Sequence, residues 1–361
     1  MSLACGNRKV VVSVIITMYQ SGSLIREALD SVLAQTFLDY EIVLVDNNAS
    51  DETLKWAIDY REKFPLIIRI VQEKRQGRSV ARNKGILESK GTYIALLDDD
   101  DLMTKDRLSR QLFAMESNPN CSIVHSLVAC IPYSNPENVL YIQSVGHEFY
   151  NKFLYFHVEE YLNSPETSPI SIPMTASSMF FKKQTAIDAG LFDELLDPQG
   201  PEDHEFALRM FDYGPYLLLK EPVVLYRLPD PIYAQNKRKG ISWINTVRSH
   251  ERLYEIFVNK FGGLKKNKID LGLRQLKSVW IRECSVEFLR YRGGRSVARK
   301  LLLRSLSVYK WDMKTYKSLI RTYFPKFFLE RKYGMVIETS DFPHEITEDF
   351  IASLYMSKKQ N

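Results

Sequence analysis

The stretch Tyr93-Ile-Ala-Leu-Leu-Asp-Asp-Asp-Asp101 places four consecutive carboxylates directly after a short apolar run. An apolar run of this length is consistent with a buried strand. In an extended segment residues i and i+2 point to the same side, so Asp98 and Asp100 share a face. Four negative charges this close repel one another unless some bind protons or a cation lies among them, and divalent hard cations prefer oxygen ligands. The stretch therefore predicts a strand that ends in a metal or diphosphate site.

A simpler alternative is that one of these acids begins the next helix. Asp101 and Thr104 are residue types that cap helix N-termini, and a helix is predicted over residues 105–116. A single capping residue accounts for one carboxylate and leaves three unexplained. We therefore favour the metal or diphosphate site.

Short apolar runs alternate with amphipathic stretches on both sides of this segment. Such an alternation predicts an α/β fold, in which a mostly parallel, Rossmann-like sheet is flanked by helices. Ligands of such sheets bind beyond the carboxyl ends of the strands. The predicted strands cover residues 10–17, 41–45, 66–71, 93–97, 177–182 and 216–227, and the predicted helices cover residues 23–36, 51–63, 78–89, 105–116 and 202–213.

The chain has 361 residues, of which 45% are apolar and 26% charged, as in an ordinary folded protein. This length predicts one large domain with an appendage. We place an α/β domain at residues 1–235 and a basic, mainly helical C-terminal region at residues 236–361. Residues 131–175 are rich in Pro, Tyr, Asn and Ser and are expected to form loops with short strands, and residues 229–240 a hinge.

Charge is unevenly distributed along the chain. Of its 49 Lys+Arg and 44 Asp+Glu, residues 237–332 hold 25 basic and 7 acidic residues. The basic residues there are interleaved with Leu, Phe, Tyr and Trp, which predicts amphipathic helices able to lie on an anionic membrane surface. The alternative is a solvated helical bundle. A nucleic-acid partner is not expected, because no nucleic-acid-binding motif accompanies the charge.

Several features predict a cytoplasmic protein, peripheral at most to the inner face of the cell membrane. No apolar run approaches the roughly 18–20 residues that span a bilayer. The N-terminal residues lack the apolar stretch and cleavage site of a signal peptide. The widely spaced cysteines favour reduced thiols over disulfides or a zinc site; they are Cys5, Cys121, Cys130 and Cys284.

Three further polar groups lie at predicted strand ends or helix starts. Asp46 ends a strand, where its carboxylate can contact a base or ribose or form a plain Asx-turn. The segment Gln76-Gly-Arg-Ser-Val-Ala-Arg82 can hold a phosphate at a helix start, although an ordinary solvated helix fits equally well. Gly200-Pro-Glu-Asp-His-Glu-Phe206 begins a helix with three acids that meet the helix dipole favourably. A second acidic site also suits a displacement reaction, with Asp203 as the base.

Six ordered motifs resemble those of family 2 glycosyltransferases with the GT-A fold. They are Val12-Ser-Val-Ile-Ile-Thr-Met-Tyr-Gln20, Ser31-Val-Leu-Ala-Gln-Thr-Phe37, Glu41-Ile-Val-Leu-Val-Asp-Asn-Asn-Ala-Ser-Asp51, Ala81-Arg-Asn-Lys-Gly-Ile86, Leu97-Asp-Asp-Asp-Asp101 and Pro201-Glu-Asp203. The resemblance covers residues 10–230, and six motifs in matching order are far more specific than any one of them.

The resemblance implies an inverting transfer of a sugar from a nucleotide-sugar donor, with a UDP-sugar expected, to a hydroxyl of a carbohydrate or lipid-linked acceptor. It implies a divalent metal, Mn²⁺ or Mg²⁺, on the donor diphosphate. Asp100 aligns with the position that meets this metal, and Asp203 with the catalytic base. The implied donor-binding residues are Thr17, Tyr19, Asp46, Asn47, Arg82, Asp98 and Asp99.

Two positions depart from the family pattern. Asp46 and Asn47 correspond to a pair of acids that meets the nucleotide base, and the second of them is an amide here. Thr17 and Tyr19 line the base pocket in a first strand that ends Thr-Met-Tyr-Gln rather than the common Pro-Thr-Tyr-Asn. Neither departure removes Asp100 or Asp203.

Two other functions compete with this interpretation. A nucleotidyltransferase would need a glycine-rich phosphate loop after the first strand, and the sequence has none there. A non-catalytic protein that binds a nucleotide sugar or a membrane surface would not need the acids at 98, 100 and 203. The sequence therefore favours a glycosyltransferase.

Overall fold

The computed structural model of the protein describes residues 9–143, 175–196, 202–228, 278, 282, 285, 294–308, 310 and 313–323. The chain divides into two compact units, Met1–Ile241 and Ser242–Asn361. The expected hinge at 229–240, the helices expected between 243 and 293, and most of the loop region expected at 131–175 lie outside the described residues.

The first unit is built on one mixed sheet. The order of its strands is β3-β2-β1-β4-β8-β6-β9-β5, and β7 pairs with β6. β1, β2, β3 and β4 are mutually parallel, whereas β8, β7 and β5 run antiparallel to their neighbours. The strands are β1 Val12–Met18, β2 Tyr40–Asp46, β3 Ile68–Gln72, β4 Tyr93–Asp98, β5 Leu102–Met103, β6 Ile123–Ile131, β7 Tyr141–Gln143, β8 Phe180–Lys182 and β9 Tyr216–Arg227.

Helices cover both faces of this sheet, which explains why β1 and β2 are apolar on both sides. Alternate residues of β2 enter opposite cores: Ile42 and Leu44 pack in one core, and Val43 and Val45 in the other. The helices of the first unit are α1 Leu24–Leu33, α2 Asp51–Lys63, α3 Arg78–Glu88, α4 Arg107–Ser117, α5 Lys183–Asp188 and α6 Glu202–Met210, with 3-10 turns at Ala176–Ser178, Glu194–Leu196 and Phe211–Tyr213.

α3 packs closely on the first strand because one of its residues has no side chain. A Cβ at Gly85 would collide with the Cγ2 atom of Ile15 and lie 3.1 Å from Cγ2 of Val45. Only glycine therefore allows this approach of helix to sheet. The contact fixes the start of α3, with Arg82, near the carboxyl ends of β1 and β2.

The predicted fold class is confirmed, with differences in the details. α2 and β9 have the predicted bounds. β5, α5 and the long strand β6 were not predicted. α4 begins at Arg107 and has Asp106 at its N-cap position, so the four acids precede the helix and the capping alternative for them is wrong.

The second unit contributes two described helices, α7 Gly294–Val308 and α8 Met313–Arg321. Within the described residues, none of the helices is both long and apolar enough to span a membrane. Two of the four cysteines lie in the described part of the chain, and the side chains of Cys121 and Cys130 are buried there outside any disulfide.

Candidate functional site

The carboxyl ends of three parallel strands bring the predicted site residues side by side. Thr17 on β1 is paired in register with Asp98 on β4, and the next residue, Met18, is paired with Asp46 on β2. From β1 the chain proceeds to β2 and β3 on one side and returns to β4 on the other side. This reversal is the topological switch point at which α/β sheets bind ligands.

The four consecutive acids form a turn at the end of β4, and the protein holds this turn from several directions. The backbone N–H of Tyr19 donates to Asp99 Oδ2 at 2.9 Å. Asp101 is buried, and it accepts hydrogen bonds from Ser177 Oγ at 2.6 Å and from the backbone N–H of Arg227 at 2.8 Å. Asp98 and Asp100 are more accessible than Asp101. The turn therefore buries one acid, Asp101, and leaves the other three partly accessible at the carboxyl end of β4.

Burial and mutual repulsion make two of these acids, Asp99 and Asp101, hard to ionise. Burial, together with the charge of Asp100, raises the pKa of Asp99 to about 7. Burial and the charges of Asp100 and Asp98 raise the pKa of Asp101 well above its usual range. Raised carboxyl pKa values in a cleft are typical of functional sites. The acids of this turn therefore repel one another, and a bound cation would relieve that repulsion.

Arg82 links this turn to the start of α6. Its buried guanidinium lies 3.0 Å from Asp98 Oδ1 and 2.7 Å from Glu202 Oε1. Burial alone would lower the pKa of Arg82, but the carboxylates of Asp98, Glu202 and Asp203 raise it above its usual value. Arg78 also pairs with Glu202, at 3.3 Å. The predicted phosphate-holding arginine therefore bridges the two acidic groups.

Asp203 lies in the first turn of α6, beside Glu202. Glu202 is buried against Arg82, whereas Asp203 is only half-buried. Burial, then the charges of Asp101, Asp98, Asp100 and Asp203, raise the pKa of Tyr226 on β9. The phenol of Tyr226 therefore interacts electrostatically with both the acidic turn and the carboxylate of Asp203.

Asp46 and Asn47 follow β2 and mainly organise the adjoining loops. Asp46 Oδ1 accepts from the backbone N–H of Ala49 at 2.9 Å, so the expected Asx-type turn is present. The buried amide of Asn47 makes four hydrogen bonds. Its Nδ2 donates to the carbonyls of Glu73 and Arg75 at 2.9 and 2.6 Å, and its Oδ1 accepts from Gln76 Nε2 and Gly77 N at 3.1 and 3.0 Å.

Arg227 is a site residue that the sequence did not reveal. Its buried guanidinium donates to the carbonyl of Asp100 at 2.8 Å, to the carbonyl of Tyr133 at 2.5 Å and to Glu27 Oε2 at 2.7 Å. These bonds fix the acidic turn to α1 and to the end of β6. Arg227 lies 126 residues beyond Asp101, and only the pairing of β9 with β5 and β6 brings it here.

The residues at the carboxyl ends of the strands suit a hard cation that is bound partly by protein carboxylates and partly by a substrate phosphate. Among the described residues, no three His, Cys, Asp or Glu side chains are grouped so as to hold a metal ion alone. Mg²⁺ is usually bound by one or two carboxylates together with substrate phosphates rather than by an all-protein cage. Asp98 and Asp100 can supply such carboxylates, and the mutual repulsion of the acids in the turn favours a cation there.

Comparisons with known proteins agree with this geometry. A family model described as Glycosyl transferase family 2 matches residues 13–182. Glycosyltransferase MJ1057 from Methanocaldococcus jannaschii is 27% identical over 257 residues, which cover 70% of this chain and 83% of that protein. The chain spans a smaller part of other curated relatives: a Rickettsia felis glycosyltransferase is 33% identical over 51% of this chain, but that match covers 27% of its own length.

Solved structures share the fold at low sequence identity. S. aureus TarS 1–349 in complex with UDP-GlcNAc superposes with a TM-score of 0.55 at 17% identity, covering 90% of this chain and 92% of that chain. Mannosyltransferase PcManGT from Pyrobaculum calidifontis, in complex with GDP-Man and Mn²⁺, gives a TM-score of 0.51 at 16% identity, covering 97% and 87%. At these identities the likeness concerns the fold alone.

Proposed function

The chain belongs to the family 2 glycosyltransferases and has their GT-A fold, and we propose that it transfers a sugar from a nucleotide-sugar donor to an acceptor hydroxyl with inversion at the anomeric carbon. The expected donor is a UDP-sugar, and the expected acceptor is a carbohydrate or a lipid-linked glycan in polysaccharide or glycolipid synthesis. A divalent metal, Mn²⁺ or Mg²⁺, is expected on the donor diphosphate.

One observation carries this proposal: Arg82 contacts both Asp98 in the acidic turn and Glu202 beside Asp203. An inverting displacement needs two separate groups, one that stabilises the leaving diphosphate and one that takes the proton of the attacking hydroxyl. Arg82 joins the parts of the chain that carry these two groups.

We assign the metal and the diphosphate to Asp100, with Asp98 and Asp99 in the donor site. When bound, a divalent cation would neutralise charge that develops on the leaving diphosphate. PcManGT and GalNAc-T7 have each been solved with Mn²⁺, which supports the same kind of ion here. Arg227 holds the carbonyl of Asp100 and so fixes the orientation of this turn before the donor binds.

We assign the general base to Asp203. Glu202 is the other carboxylate of the α6 start, but two arginines already neutralise it and it is buried. Asp203 retains exposed surface from which to accept a proton. Removal of the proton as the acceptor oxygen attacks would place the new bond on the face opposite the leaving diphosphate, and the sugar would be inverted.

We place the nucleotide base against Thr17, Tyr19, Asp46 and Asn47. Tyr19 is exposed next to the acidic turn, so its ring is available for stacking on a base. The side-chain amide of Asn47 makes its four hydrogen bonds to the loop of residues 73–77. This favours an indirect role for Asn47, in which it shapes the pocket rather than contacts the nucleotide. TarS has been solved with UDP and with UDP-GlcNAc, and PcManGT with GDP-Man. Which nucleotide this chain binds is therefore a question for measurement.

The base is tested by Asp203→Asn, with Asp188→Asn as a matched exposed control on α5. We expect the turnover number of Asp203→Asn to fall by about 10²–10⁴-fold, the usual contribution of a general base. Donor binding, measured by thermal shift, should remain. Asp188→Asn should behave as wild type. A fully active Asp203→Asn would exclude this residue as the base.

The donor and the metal are tested together by a thermal-shift panel. UDP, GDP, dTDP and CDP and their sugar conjugates are each added with Mn²⁺ and with EDTA. Saturation at 100 times the dissociation constant stabilises a protein by about 2.7 kcal/mol. We expect one nucleotide class to stabilise the protein only with metal. Equal stabilisation in EDTA would contradict the metal assignment.

A further inference from the structure

Helix α8 in the second unit has an unusual distribution of polar and apolar side chains. Its buried side carries the small hydroxyl residues Thr315 and Ser318, and the buried Thr322 follows directly after the helix. Its exposed side carries large apolar residues at spacings of three and four. These are Met313 (65% exposed), Tyr316 (40%), Ile320 (57%) and, just beyond the helix, Tyr323 (67%). We call these four residues the apolar stripe.

Small side chains explain why the polar side of α8 faces α7. Ser305 of α7 lies 3.2 Å from Thr315 Oγ1 and 2.8 Å from Ser278 Oγ, so a ladder of hydroxyl groups joins the helices. Such groups satisfy one another and allow close approach of the two backbones. Burial of this side leaves the apolar stripe outside.

The end of α8 is fixed, so the stripe keeps its orientation. Arg299 donates through Nε to Thr322 Oγ1 at 3.0 Å and through Nη2 to the Thr322 carbonyl at 2.9 Å, which caps the helix C-terminus. The same guanidinium lies 4.1 Å from the ring centroid of Tyr323. The exposed apolar residues therefore project from an ordered helix.

Basic residues border the stripe. Lys314 and Lys317 are exposed and lie on the side of the helix between the stripe and the buried face. Residues 294–323 contain eight Lys or Arg and one acidic residue. An apolar strip beside a cationic strip is the pattern of helices that lie in the surface plane of an anionic membrane.

We propose that α8 is a membrane-surface helix, whose apolar stripe enters the acyl boundary of an anionic bilayer while Lys314 and Lys317 contact lipid phosphates. The charge pattern favours a lipid surface over a protein groove, because each lysine near such a surface adds to the attraction. This inference is independent of the proposed catalytic roles. It assigns the membrane contact predicted for residues 237–332 to one face of one helix.

The test is cosedimentation of the full chain with phosphatidylcholine vesicles, made with and without phosphatidylserine. We expect binding only to the anionic vesicles and weaker binding at high salt, since salt screens the lysine charges. The double variant Met313→Gln/Ile320→Gln should reduce the partition coefficient at least about tenfold, because two apolar side chains lose their burial. Lys314→Gln/Lys317→Gln should reduce it by on the order of tenfold.

A matched control separates the stripe from general exposure of apolar residues. Leu66 in the first unit is 82% exposed, and Leu66→Gln should bind vesicles as wild type does. The variants change exposed side chains, so their far-ultraviolet circular dichroism and thermal midpoints should match wild type. Wild-type protein that fails to bind anionic vesicles, or a stripe variant that binds equally well, would overturn the proposal. So would a dimer in sedimentation velocity that depends on the stripe and occurs without vesicle binding.

Discussion

Glu41 and Asp101 are both buried acids of the central sheet, yet their surroundings shift their pKa values in opposite directions. Burial alone would raise the pKa of Glu41, but hydrogen bonds from Arg69, Ser13 and the Lys90 backbone lower it. Asp101 receives bonds from Ser177 and a backbone N–H, and its pKa is raised by burial and by neighbouring acids. A guanidinium 2.9 Å from Glu41 makes the difference.

Arg227, which bonds to Asp101 through its backbone N–H, does not pair its guanidinium with that acid. The guanidinium of Arg227 pairs instead with Glu27 and with the carbonyls of Asp100 and Tyr133. The protein thus pairs the acid at 41 with one guanidinium, whereas four acids share the turn at 98–101, where Asp98 pairs with Arg82. A cluster of acids with raised pKa values is expected where a ligand completes the charge balance. The contrast is between one paired acid and a turn in which neighbouring acids repel one another.

The strongest test of this contrast is Asp100→Asn. We expect a loss of about 10²–10³-fold in turnover number, comparable to removal of one electrostatic partner of a transition state. The stabilisation by nucleotide with Mn²⁺ should also be lost. Thermal stability without metal should stay equal or rise, because one repelling charge is removed. A variant that keeps its metal-dependent thermal shift would contradict the assignment of Asp100.

Glu41→Gln should give the converse result. The amide cannot neutralise Arg69, and its NH2 group would face either the Arg69 guanidinium or the Lys90 N–H that now bonds to Glu41 Oε1 at 2.5 Å. Because Arg69 keeps partial access to water, we expect a loss of about 2–3 kcal/mol, below the range for a fully buried pair. Chemical denaturation measures it. Turnover per folded molecule should be unchanged. A variant that keeps full stability but loses turnover would contradict the assignment of Glu41 as an acid that only stabilises the fold.

Asn47→Asp should destabilise the protein by about 2 kcal/mol, because a carboxylate would replace two donors opposite the carbonyls of Glu73 and Arg75. Asn48→Asp is the matched control. Asn48 is exposed and has a positive φ of 59°, which Asp tolerates, so this change should cost less than about 0.5 kcal/mol. Equal losses would show that the four bonds of Asn47 contribute little. The donor KM of Asn47→Asp measures whether the loop shapes the base pocket.

Local patterns predicted the parallel half of the sheet, because its strands are short apolar runs that alternate with amphipathic helices, and each motif follows a strand whose end fixes its position. The strand ends holding Thr17, Asp46 and Asp98 could be expected to meet at one edge. Residues that act through long-range pairing could not be predicted. In the sequence Arg227 is only the last residue of a predicted strand. Its contact with the acidic turn becomes apparent only when β9 is paired with β5 and β6.

Other features that the sequence did not predict also have identifiable physical causes. The two-residue strand β5 is too short to show a period, and β6 contains His125 and Ser126 in its buried interior, which weakens its apolar pattern. Asn47 resembles a ligand-binding position in sequence, and its four internal hydrogen bonds emerge only from the loop at residues 73–77. The roles of Asp100 and Asp203 stay predictions until the variants above are measured.

The smallest expected effect concerns Asp99 and the dependence of stability on pH. A carboxyl whose pKa rises on folding stabilises the protein fully below its unfolded pKa and loses that contribution as pH rises through the folded value, here about 7. Glu41 has a lowered pKa, so its contribution is lost only as pH falls below its usual value. Between pH 5 and 8, stability in EDTA should therefore fall because of the acidic turn and not because of Glu41. The thermal midpoint of Asp99→Asn, which still accepts from the Tyr19 N–H, should exceed that of wild type by about 2–4 °C more at pH 8 than at pH 5. Parallel profiles of thermal midpoint against pH for the two proteins would show that repulsion at Asp99 does not lower the stability of the folded protein.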